Sequence, residues 1–368
     1  MKINQNCRFF SPDTPCIFHK REKVRCENCK YYQPVKKKIL IIKRDASGDV
    51  LRTTSILEPL KKKFQNSSIV WFTETENREI LEGNPLIDKI WTPDIYGISG
   101  LLYFKFDIMI NLDLSHESLL IAGMVNAWKK YGFWYKKDGK ISFSNKSARE
   151  WFYLSHDDEK KKKNLKTYQQ FIKEIAELDH FGEIIVPLDE KSKKYAEDFV
   201  KRHGIYGKKI IGVNVGSGRK WITKRWPEEN ILKFISLIGN SYPVIIFGGK
   251  EEKEIMERIV EKSKISVINS GWNNPVKTFF ALLNLCDVVV TADTLALHAA
   301  IGLKKKVVAL FGPTSLSEIE MYGRGVKIKA PVECYCCYKR ECSLYPMCME
   351  RIKPEDVFKA VKKLLNGK

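Results

Sequence analysis

Short apolar runs that alternate with helical patterns constrain the fold of this chain more than any other feature. The first run is Lys38–Lys43 (KILIIK), Ile69–Phe72 and Phe106–Leu112 follow it, and apolar residues at helical spacing fill the intervals. Continuous apolar runs of this length are typical of parallel strands that are buried on both faces. Their alternation with helices predicts a parallel sheet that is covered by helices.

The same alternation starts again in the second half of the chain. Its strand-like runs are Ile210–Val215, Val244–Phe247, Ile265–Ile268, Val288–Thr291 and Val307–Phe311. A length of 368 residues suits two domains. We therefore predict two doubly wound α/β domains, residues 36–187 and 209–353, joined by a charged linker at 188–208. A cysteine-bearing extension (1–35) precedes them and an amphipathic helix (354–368) follows them.

The charge of the chain restricts its partners. Lys and Arg total 64 against 44 Asp and Glu, which gives a net charge of +20. This balance indicates an anionic partner (nucleic acid, a nucleotide sugar, a phosphorylated lipid or an acidic membrane face) or a lysine-rich composition that serves solubility, and charge alone does not choose between them. No run approaches the roughly 20 apolar residues of a membrane-spanning helix, and the first residues lack the apolar segment of a secretory signal. We therefore expect a cytoplasmic protein.

The loop after the first strand, Lys43–Thr54 (KRDASGDVLRTT), carries a candidate base. It has neither the G-x-G-x-x-G spacing of dinucleotide binders nor a Walker lysine, which argues against a dehydrogenase and a P-loop NTPase. Gly48 permits close approach of a ligand. Asp49 begins the next helix, where it either caps free N–H groups or acts as a general base in a cleft between the domains. The helix dipole lowers the pKa of such a carboxylate and burial raises it, and the sequence leaves this balance open.

The loop Val215–Pro227 (VGSGRKWITKRWP) combines small residues with cations. Ser217 and Gly218 offer a hydroxyl and backbone N–H groups to a phosphate, and Lys224 is one of four basic residues nearby. The concentration of positive charge beside a glycine pair favours anion binding over a merely solvated surface.

Two further loops follow strands of the second half. In Phe247–Glu252 (FGGKEE), Glu252 is a candidate ligand for ribose hydroxyls, although a strand–GG–helix turn is also typical of tight packing. In Val288–Gly302 (VVVTADTLALHAAIG), Asp293 stands where a strand ends and a helix begins, so the amides of residues 294–296 are free to bind a diphosphate.

Together these motifs resemble glycosyltransferase family 9, whose best-known members are ADP-heptose:lipopolysaccharide heptosyltransferases. The resemblance extends from about Lys38 to the C-terminus. It depends on an ordered set: SGDVLRTT (Ser47–Thr54), KRWPEE (Lys224–Glu229), GG-x-x-E (Gly248–Glu252), ADTLALH (Ala292–His298) and LFGPTS (Leu310–Ser315). It implies a GT-B fold, with the acceptor bound by the N-terminal domain and the nucleotide-sugar donor by the C-terminal domain.

The resemblance also implies roles for single residues. Asp49 is the base that deprotonates the acceptor hydroxyl, with Gly48 and Arg52 beside it on the acceptor side. The implied donor-binding set is Ser217, Gly218, Lys224, Glu252, Asp293, Thr294, Leu295 and His298. Within that set, Lys224 and the amides of 294–295 hold the diphosphate, Glu252 the ribose, and Asp293 the sugar or its neighbouring loop. The family commonly has glycine where this chain has Leu295.

The chemistry of the reaction points the same way. A nucleoside diphosphate leaving group needs cations and helix N-termini, whereas the attacking hydroxyl needs a base and the sugar passes through an oxocarbenium-like state. We predict an inverting glycosyltransferase that requires no metal, with heptose from ADP-heptose as the transferred sugar and a phosphorylated, lipid-linked saccharide such as the lipopolysaccharide core as acceptor. The alternatives are another nucleotide sugar or polysaccharide acceptor, or a non-catalytic metal-bearing protein that binds nucleotides or RNA. Nucleic acid is not the expected partner, because no recognisable RNA- or DNA-binding module is present.

Two cysteine sets and two basic stretches complete the sequence. The sets are Cys7, Cys16, Cys26 and Cys29 near the start and Cys334, Cys337, Cys342 and Cys348 near the end. Their thiolates are candidate ligands for structural zinc or an iron–sulfur cluster, with free thiols or an inherited structural feature as alternatives. The stretches Trp128–Lys137 and Lys160–Lys163 either rest on the inner face of the cytoplasmic membrane, as in a peripheral protein, or are solvated.

Overall fold

The computed structural model describes residues 2–367, and these residues form two six-stranded sheets. The strands of the first sheet are β1 (Lys37–Ile42), β2 (Ser67–Phe72), β3 (Lys89–Trp91), β4 (Phe106–Asn111), β5 (Ala127–Tyr135) and β6 (Ile141–Phe143). Those of the second are β7 (Ile211–Asn214), β8 (Val244–Phe247), β9 (Val267–Asn269), β10 (Val288–Ala292), β11 (Lys306–Phe311) and β12 (Gly325–Lys329). The predicted fold class, two doubly wound α/β domains, is therefore confirmed.

Helices connect these strands and cover both faces of each sheet. In the first half they are α1 (Ile17–Glu22), α2 (Ser47–Thr53), α3 (Leu57–Lys63), α4 (Arg78–Leu81), α5 (Ile95–Tyr103), α6 (His116–Met124), α7 (Lys146–Ser155), α8 (Asp158–Lys163) and α9 (Tyr168–Ile175). In the second half they are α10 (Glu190–Arg202), α11 (Glu228–Ile238), α12 (Lys253–Lys262), α13 (Val276–Leu283), α14 (Leu295–Gly302) and α15 (Pro354–Leu365). Short 3-10 turns lie at Cys26–Asn28, Thr54–Ile56, Thr75–Asn77, Arg219–Lys224, Gly239–Ser241, Lys250–Glu252 and Cys348–Arg351.

The strand order of each sheet determines where a ligand can bind. The orders are β3-β2-β1-β4-β5-β6 and β12-β11-β10-β7-β8-β9, and the strands pair in parallel apart from β6, which is antiparallel to β5. The order reverses between β1 and β4 in the first sheet and between β7 and β10 in the second. In such sheets ligands bind beyond the carboxyl ends of the strands at the reversal. Here these are β1 and β4 in the first sheet and β7 and β10 in the second.

Burial explains which strands the sequence predicts. All four residues from Ile39 to Ile42 in β1 are fully buried, so their apolar run is unbroken. The sequence does not predict the short strands β3 and β6, the edge strand β12, or β5, whose first half is largely exposed. An apolar cluster also joins the domains, because Leu51 of α2 and Leu297 of α14 belong to the same buried cluster and the two helices are in contact.

The cysteine-bearing extension is attached to the first domain. Arg8 donates a hydrogen bond to the Ser67 carbonyl at 2.7 Å and forms an ion pair with Asp88. Among residues 2–367, no helix combines the length and the apolarity that a bilayer span requires.

Candidate active site

A cleft of about 800 Å³ lies between the two domains at the carboxyl ends of their strands. Every site residue predicted from the sequence, apart from the cysteines, borders this cleft. From the first domain these are Gly48, Asp49 and Arg52, and from the second Ser217, Gly218, Lys224, Glu252, Asp293, Thr294, Leu295 and His298. Residues from separate loops therefore meet in one place, as the strand-end rule predicts.

Helix α2 places Asp49 in the cleft. The helix begins at Ser47, and Ala46 is its N-cap residue, so the interpretation of Asp49 as the residue that begins and caps the helix is wrong. The Asp49 carboxylate lies 2.8 Å from Arg52 Nη2 and 4.0 Å from Lys43 Nζ. Burial by itself would raise the pKa of Asp49, but Arg52 and Lys43 outweigh it and lower that pKa to about 2. The balance that the sequence left open is thus decided in favour of the ionised carboxylate.

Lys43, at the end of the β1 run, is a cation that sequence reasoning missed. Its side chain is buried and forms an ion pair with Asp113, and its ammonium also donates to the Asp45 carbonyl. Burial lowers the pKa of Lys43, but Asp113 and Asp49 outweigh it, and the net shift is upward. The signal in the sequence was a charged residue directly after a buried strand, where a lysine is otherwise costly.

Contacts that the sequence did not reveal link Arg52 of the first domain to side chains of the second. The Arg52 guanidinium lies 3.9 Å from the Tyr168 ring centroid and 3.9 Å from a carboxylate oxygen of Glu318 in the second domain. The Tyr338 hydroxyl donates to Glu318 at 2.9 Å. Burial raises the pKa of Glu318, although Arg52 lowers it in part. Glu318 and Tyr338 border the cleft as well.

The donor side of the cleft is organised around Asp293. Lys224 Nζ lies 3.1 Å from the Asp293 carbonyl oxygen and 3.5 Å from its carboxylate. Burial alone would raise the pKa of Asp293, but Lys224 together with His298 and Arg52 outweighs it and holds that pKa below its ordinary value. His298 Nε2 lies 3.7 Å from the same carboxylate. Burial, reinforced by Arg52, lowers the pKa of His298 to about 4, so the imidazole is neutral at pH 7.

The first turn of α14 faces the cleft. Its N-cap residue Thr294 makes no side-chain cap, and the Leu297 N–H donates to the Thr294 carbonyl at 3.1 Å, so the N–H groups of Leu295 and Ala296 are the ones available to an anion. The Asn214 amide donates weakly to the hydroxyls of Thr291 and Thr294 at 3.2 and 3.3 Å, which links β7 to the turn before α14.

Gly48 makes a close approach to a side chain of the other domain. A Cβ at this position would lie 2.7 Å from His298 Cδ2. The absence of a side chain at Gly48 therefore lets α2 of the first domain lie directly against α14 of the second. This contact holds Asp49 beside the donor pocket.

Glu252 connects two loops of the second domain. Its carboxylate is buried and accepts hydrogen bonds from the N–H groups of Gly249 and Gly218 at 3.0 and 3.2 Å. Arg225 forms an ion pair with it at 2.7 Å. Glu252 therefore stabilises the pocket, and its contact with a ribose stays a prediction.

The two small residues of the second loop already have partners. The Ser217 hydroxyl donates to the Trp221 carbonyl at 2.6 Å, and the Gly218 N–H donates to Glu252. Gly218 also has a φ of 69°, which favours glycine. In this conformation neither donor is free for a phosphate, so the direct phosphate contact predicted for them requires these bonds to be exchanged.

Aromatic residues border the donor side, and the sequence did not single them out. Trp221, Trp272 and Phe279 line the cleft together with Asn274. The Lys253 ammonium lies 4.9 Å from the Trp272 ring centroid. Flat aromatic surfaces of this kind suit a flat, partly polar ligand such as a nucleobase.

The cysteine sets do not form a ready metal site. All ten cysteines are free thiols. Within residues 2–367, no group of three or more His, Cys, Asp or Glu side chains is arranged to hold a metal ion. The geometry therefore gives no support to metal binding by Cys7, Cys16, Cys26 and Cys29 or by Cys334, Cys337, Cys342 and Cys348, and that hypothesis stays a prediction.

Comparison with known proteins identifies the family. Residues 99–347 match the family described as glycosyltransferase family 9 (heptosyltransferase). The chain belongs to glycosyltransferase family 9. It is therefore a glycosyltransferase, and family membership favours the enzyme over the non-catalytic alternative.

Relatives of this family 9 glycosyltransferase cover nearly the whole chain. A lipooligosaccharide heptosyltransferase 2 of Campylobacter jejuni (serotype O:6) is 27% identical over 341 residues, which cover 86% of this chain and 96% of the relative. The crystal structure of a family 9 glycosyltransferase from Veillonella parvula matches with a TM-score of 0.74 at 22% identity, over 90% of this chain and 98% of that one. Escherichia coli ADP-heptose lps heptosyltransferase II matches with a TM-score of 0.64 at 18% identity, over 90% and 99% of the chains. The fold of this glycosyltransferase is accordingly GT-B.

Proposed function

We propose that this family 9 glycosyltransferase transfers heptose from ADP-heptose to a lipopolysaccharide or lipooligosaccharide core by direct displacement, with inversion at the anomeric carbon. The family description and the names of the relatives support the transferred sugar and the acceptor class. One observation carries the mechanism: the ionised Asp49 of one domain and the Lys224–α14 pocket of the other border the same cleft.

Asp49 accepts the proton of the acceptor hydroxyl. A carboxylate with a pKa of about 2 is a weak base, so it does not deprotonate a free alcohol. In an oxocarbenium-like transition state the new C–O bond makes the attacking oxygen strongly acidic, and a weak but permanently ionised base then suffices. Arg52 and Lys43 keep Asp49 in that state.

The second domain stabilises the leaving group. As the bond from the anomeric carbon to the diphosphate breaks, negative charge grows on the phosphate oxygens. Lys224 and the N–H groups of Leu295 and Ala296 in the first turn of α14 supply positive charge there. Because these groups and Arg52 provide the neutralising charge, we propose that no divalent cation is required.

Neutral His298 fits this division of roles. With a pKa of about 4, it adds no charge to the cleft near pH 7, and its ring packs against Gly48 and approaches Asp293. We propose that His298 and Asp293 position the transferred sugar between the base and the diphosphate pocket.

The test is a transfer assay with the purified protein, ADP-heptose and a core acceptor that lacks heptose, with UDP-glucose and GDP-mannose as competing donors. We expect heptose transfer from ADP-heptose, an inverted anomeric configuration by NMR, and full activity in EDTA. Turnover with another nucleotide sugar, and none with ADP-heptose, would show that the proposed donor is wrong. Retained configuration would overturn the displacement mechanism, and loss of activity in EDTA that Mg²⁺ restores would overturn metal independence.

A further inference from the structure

Glu318 is a residue of the second domain that lies against the first. Its backbone carbonyl accepts a hydrogen bond from the Tyr168 N–H, at the start of α9, at 2.9 Å. Its carboxylate lies 3.9 Å from the Arg52 guanidinium of α2, and the side chain is only 14% exposed. Glu318 also borders the cleft. The second domain therefore places one carboxylate among groups of the first domain, beside the guanidinium that contacts the candidate base.

One oxygen of this carboxylate is held in place. The Tyr338 hydroxyl donates to Oε1 of Glu318 at 2.9 Å. The same hydroxyl accepts a hydrogen bond from the Ser315 N–H at 3.3 Å, so its own proton is committed to Glu318. The Lys161 ammonium borders the cleft from α8 of the first domain and lies 4.5 Å from the Tyr338 ring centroid. Tyr338 is thus held from both domains, and it orients the Glu318 carboxylate.

The other oxygen, Oε2, is suited to a hydrogen-bond donor from a ligand. Arg52 Nη2 lies 3.9 Å from Oε2, which exceeds hydrogen-bond distance. Burial raises the pKa of Glu318, and Arg52 and the Tyr338 hydroxyl offset this effect only in part. A largely buried carboxylate oxygen is stabilised by each donor that it gains. A hydroxyl group of a ligand in the cleft can supply such a donor.

The position of Oε2 relative to Asp49 favours the acceptor as this ligand. Arg52 Nη2 lies 2.8 Å from an Asp49 oxygen and 3.9 Å from Oε2 of Glu318. Both distances run to one nitrogen atom, so the two carboxylates are close enough to contact hydroxyls of the same sugar ring. The donor side is organised around another pair, Lys224 and Asp293, which lie 3.5 Å apart. If Asp49 receives the attacking hydroxyl, a second hydroxyl of the same acceptor ring can reach Glu318.

We propose that Glu318 is an acceptor-binding residue supplied by the donor domain, and that its Oε2 accepts a hydrogen bond from a second hydroxyl on the acceptor ring that carries the attacking hydroxyl. This assignment rests on the proposed function. It entails specificity as well as affinity, because a site built to bind a hydroxyl rejects an analogue that lacks it. It also means that the acceptor site is complete only when Glu318 faces Arg52 across the cleft.

The experiment measures transfer from ADP-heptose to a heptose-free core acceptor and to its monodeoxy analogues, each of which lacks one hydroxyl other than the attacking one. In the wild type we expect one analogue to lose about 10- to 100-fold in kcat/KM, the effect of one hydrogen bond to a charged group. In Glu318→Leu, which removes both oxygens at similar size, that analogue and the parent acceptor should react almost equally. Glu318→Gln keeps one acceptor oxygen and should restore part of the discrimination.

Two controls separate acceptor binding from a general defect. Glu320→Gln changes a carboxylate of the same loop, which accepts a hydrogen bond from the Tyr322 N–H at 2.8 Å, and it should leave the discrimination unchanged. The affinity for ADP, measured by calorimetry, should be the same in all variants because the donor-binding groups are untouched. That measurement also shows that each variant is folded.

The results distinguish this proposal from the proposed function. An equal loss for the parent acceptor and for every analogue in Glu318→Leu would overturn the proposal, because Glu318 would then act only through Arg52 on the base. Wild-type protein that transfers heptose to every analogue at the parent rate would also overturn it. Both results would leave the proposed function standing. Wild-type protein that transfers no heptose to the core acceptor would remove the proposed function and this assignment with it.

Discussion

The Asp49 carboxylate lies 2.8 Å from the guanidinium of Arg52, three residues later on the same helix. This pair determines the character of the candidate base, because Arg52 and Lys43 lower the pKa of Asp49 to about 2 in spite of burial. Arg52 also approaches Glu318 of the other domain at 3.9 Å. The ionisation of the base is thereby coupled to the position of the two domains across the cleft.

Replacing Asp49 tests its role as the base. Asp49→Asn keeps the shape of the side chain but cannot accept the proton, so we expect kcat to fall by about 10²- to 10⁴-fold. The affinity for ADP, measured by calorimetry, should change little. Asp45→Asn is the matched control, since Asp45 is exposed in the same loop. Equal turnover in Asp49→Asn and wild type would remove Asp49 as the base.

The pH dependence of transfer tests the positioning role of Arg52. With Asp49 ionised above a pH of about 2, its protonation does not limit kcat/KM between pH 5 and 8 in the wild type. Arg52→Gln removes a cation, so burial then raises the pKa of Asp49, and the acid limb of the kcat/KM profile moves to higher pH. Arg52→Lys should restore part of the shift. An unchanged profile in Arg52→Gln, at whatever absolute rate, would contradict this role.

Lys224 is predicted to bind the diphosphate of the donor. Lys224→Gln removes one charged hydrogen bond of about 1.5–3 kcal/mol, so ADP should bind roughly 10- to 100-fold more weakly. Calorimetric titration with ADP measures this directly. Lys220→Gln, an exposed position in the same loop, should leave the affinity unchanged. A similar loss in both variants would indicate a general effect of surface charge.

His298 makes stability depend on pH. Its pKa is lowered from 6.5 to about 4, so between these values the unfolded chain binds a proton that the folded chain does not. The contribution of His298 to the free energy of unfolding should therefore be constant above pH 6.5 and decrease as the pH falls towards 4, by about 3 kcal/mol in all. Urea unfolding of wild type and His298→Gln at several pH values isolates this contribution as the difference in slope. The exposed His203→Gln is the control, and parallel slopes for wild type and His298→Gln would contradict the assignment.

Metal content tests the hypothesis for the cysteine sets. If either set holds structural zinc or iron, protein purified without added metal should contain about one equivalent. Cys26→Ser would then abolish binding by the first set, and Cys348→Ser binding by the second. Protein that contains neither zinc nor iron would remove the hypothesis.

The sequence by itself determined the fold class and eleven of the residues that border the cleft, but not Glu318, Tyr338 or the aromatic residues there. Buried strands leave unbroken apolar runs such as Ile39–Ile42, and these are visible without coordinates. Parallel strands bring their carboxyl ends to one edge, so the loops that carry Asp49, Lys224 and Asp293 could be assigned to one cleft. The sequence also supplied the family resemblance.

Only the tertiary structure decided the chemical state of these residues. The ion pair of Lys43 with Asp113 joins residues 70 positions apart, and Arg52 approaches Glu318 across the domain boundary. The tertiary structure also decided that the Ser217 hydroxyl and the Gly218 N–H already donate hydrogen bonds, to the Trp221 carbonyl and to Glu252. The physical reason is that electrostatic energy depends on the separation and burial of charges. Sequence spacing fixes neither quantity for residues that meet only through folding.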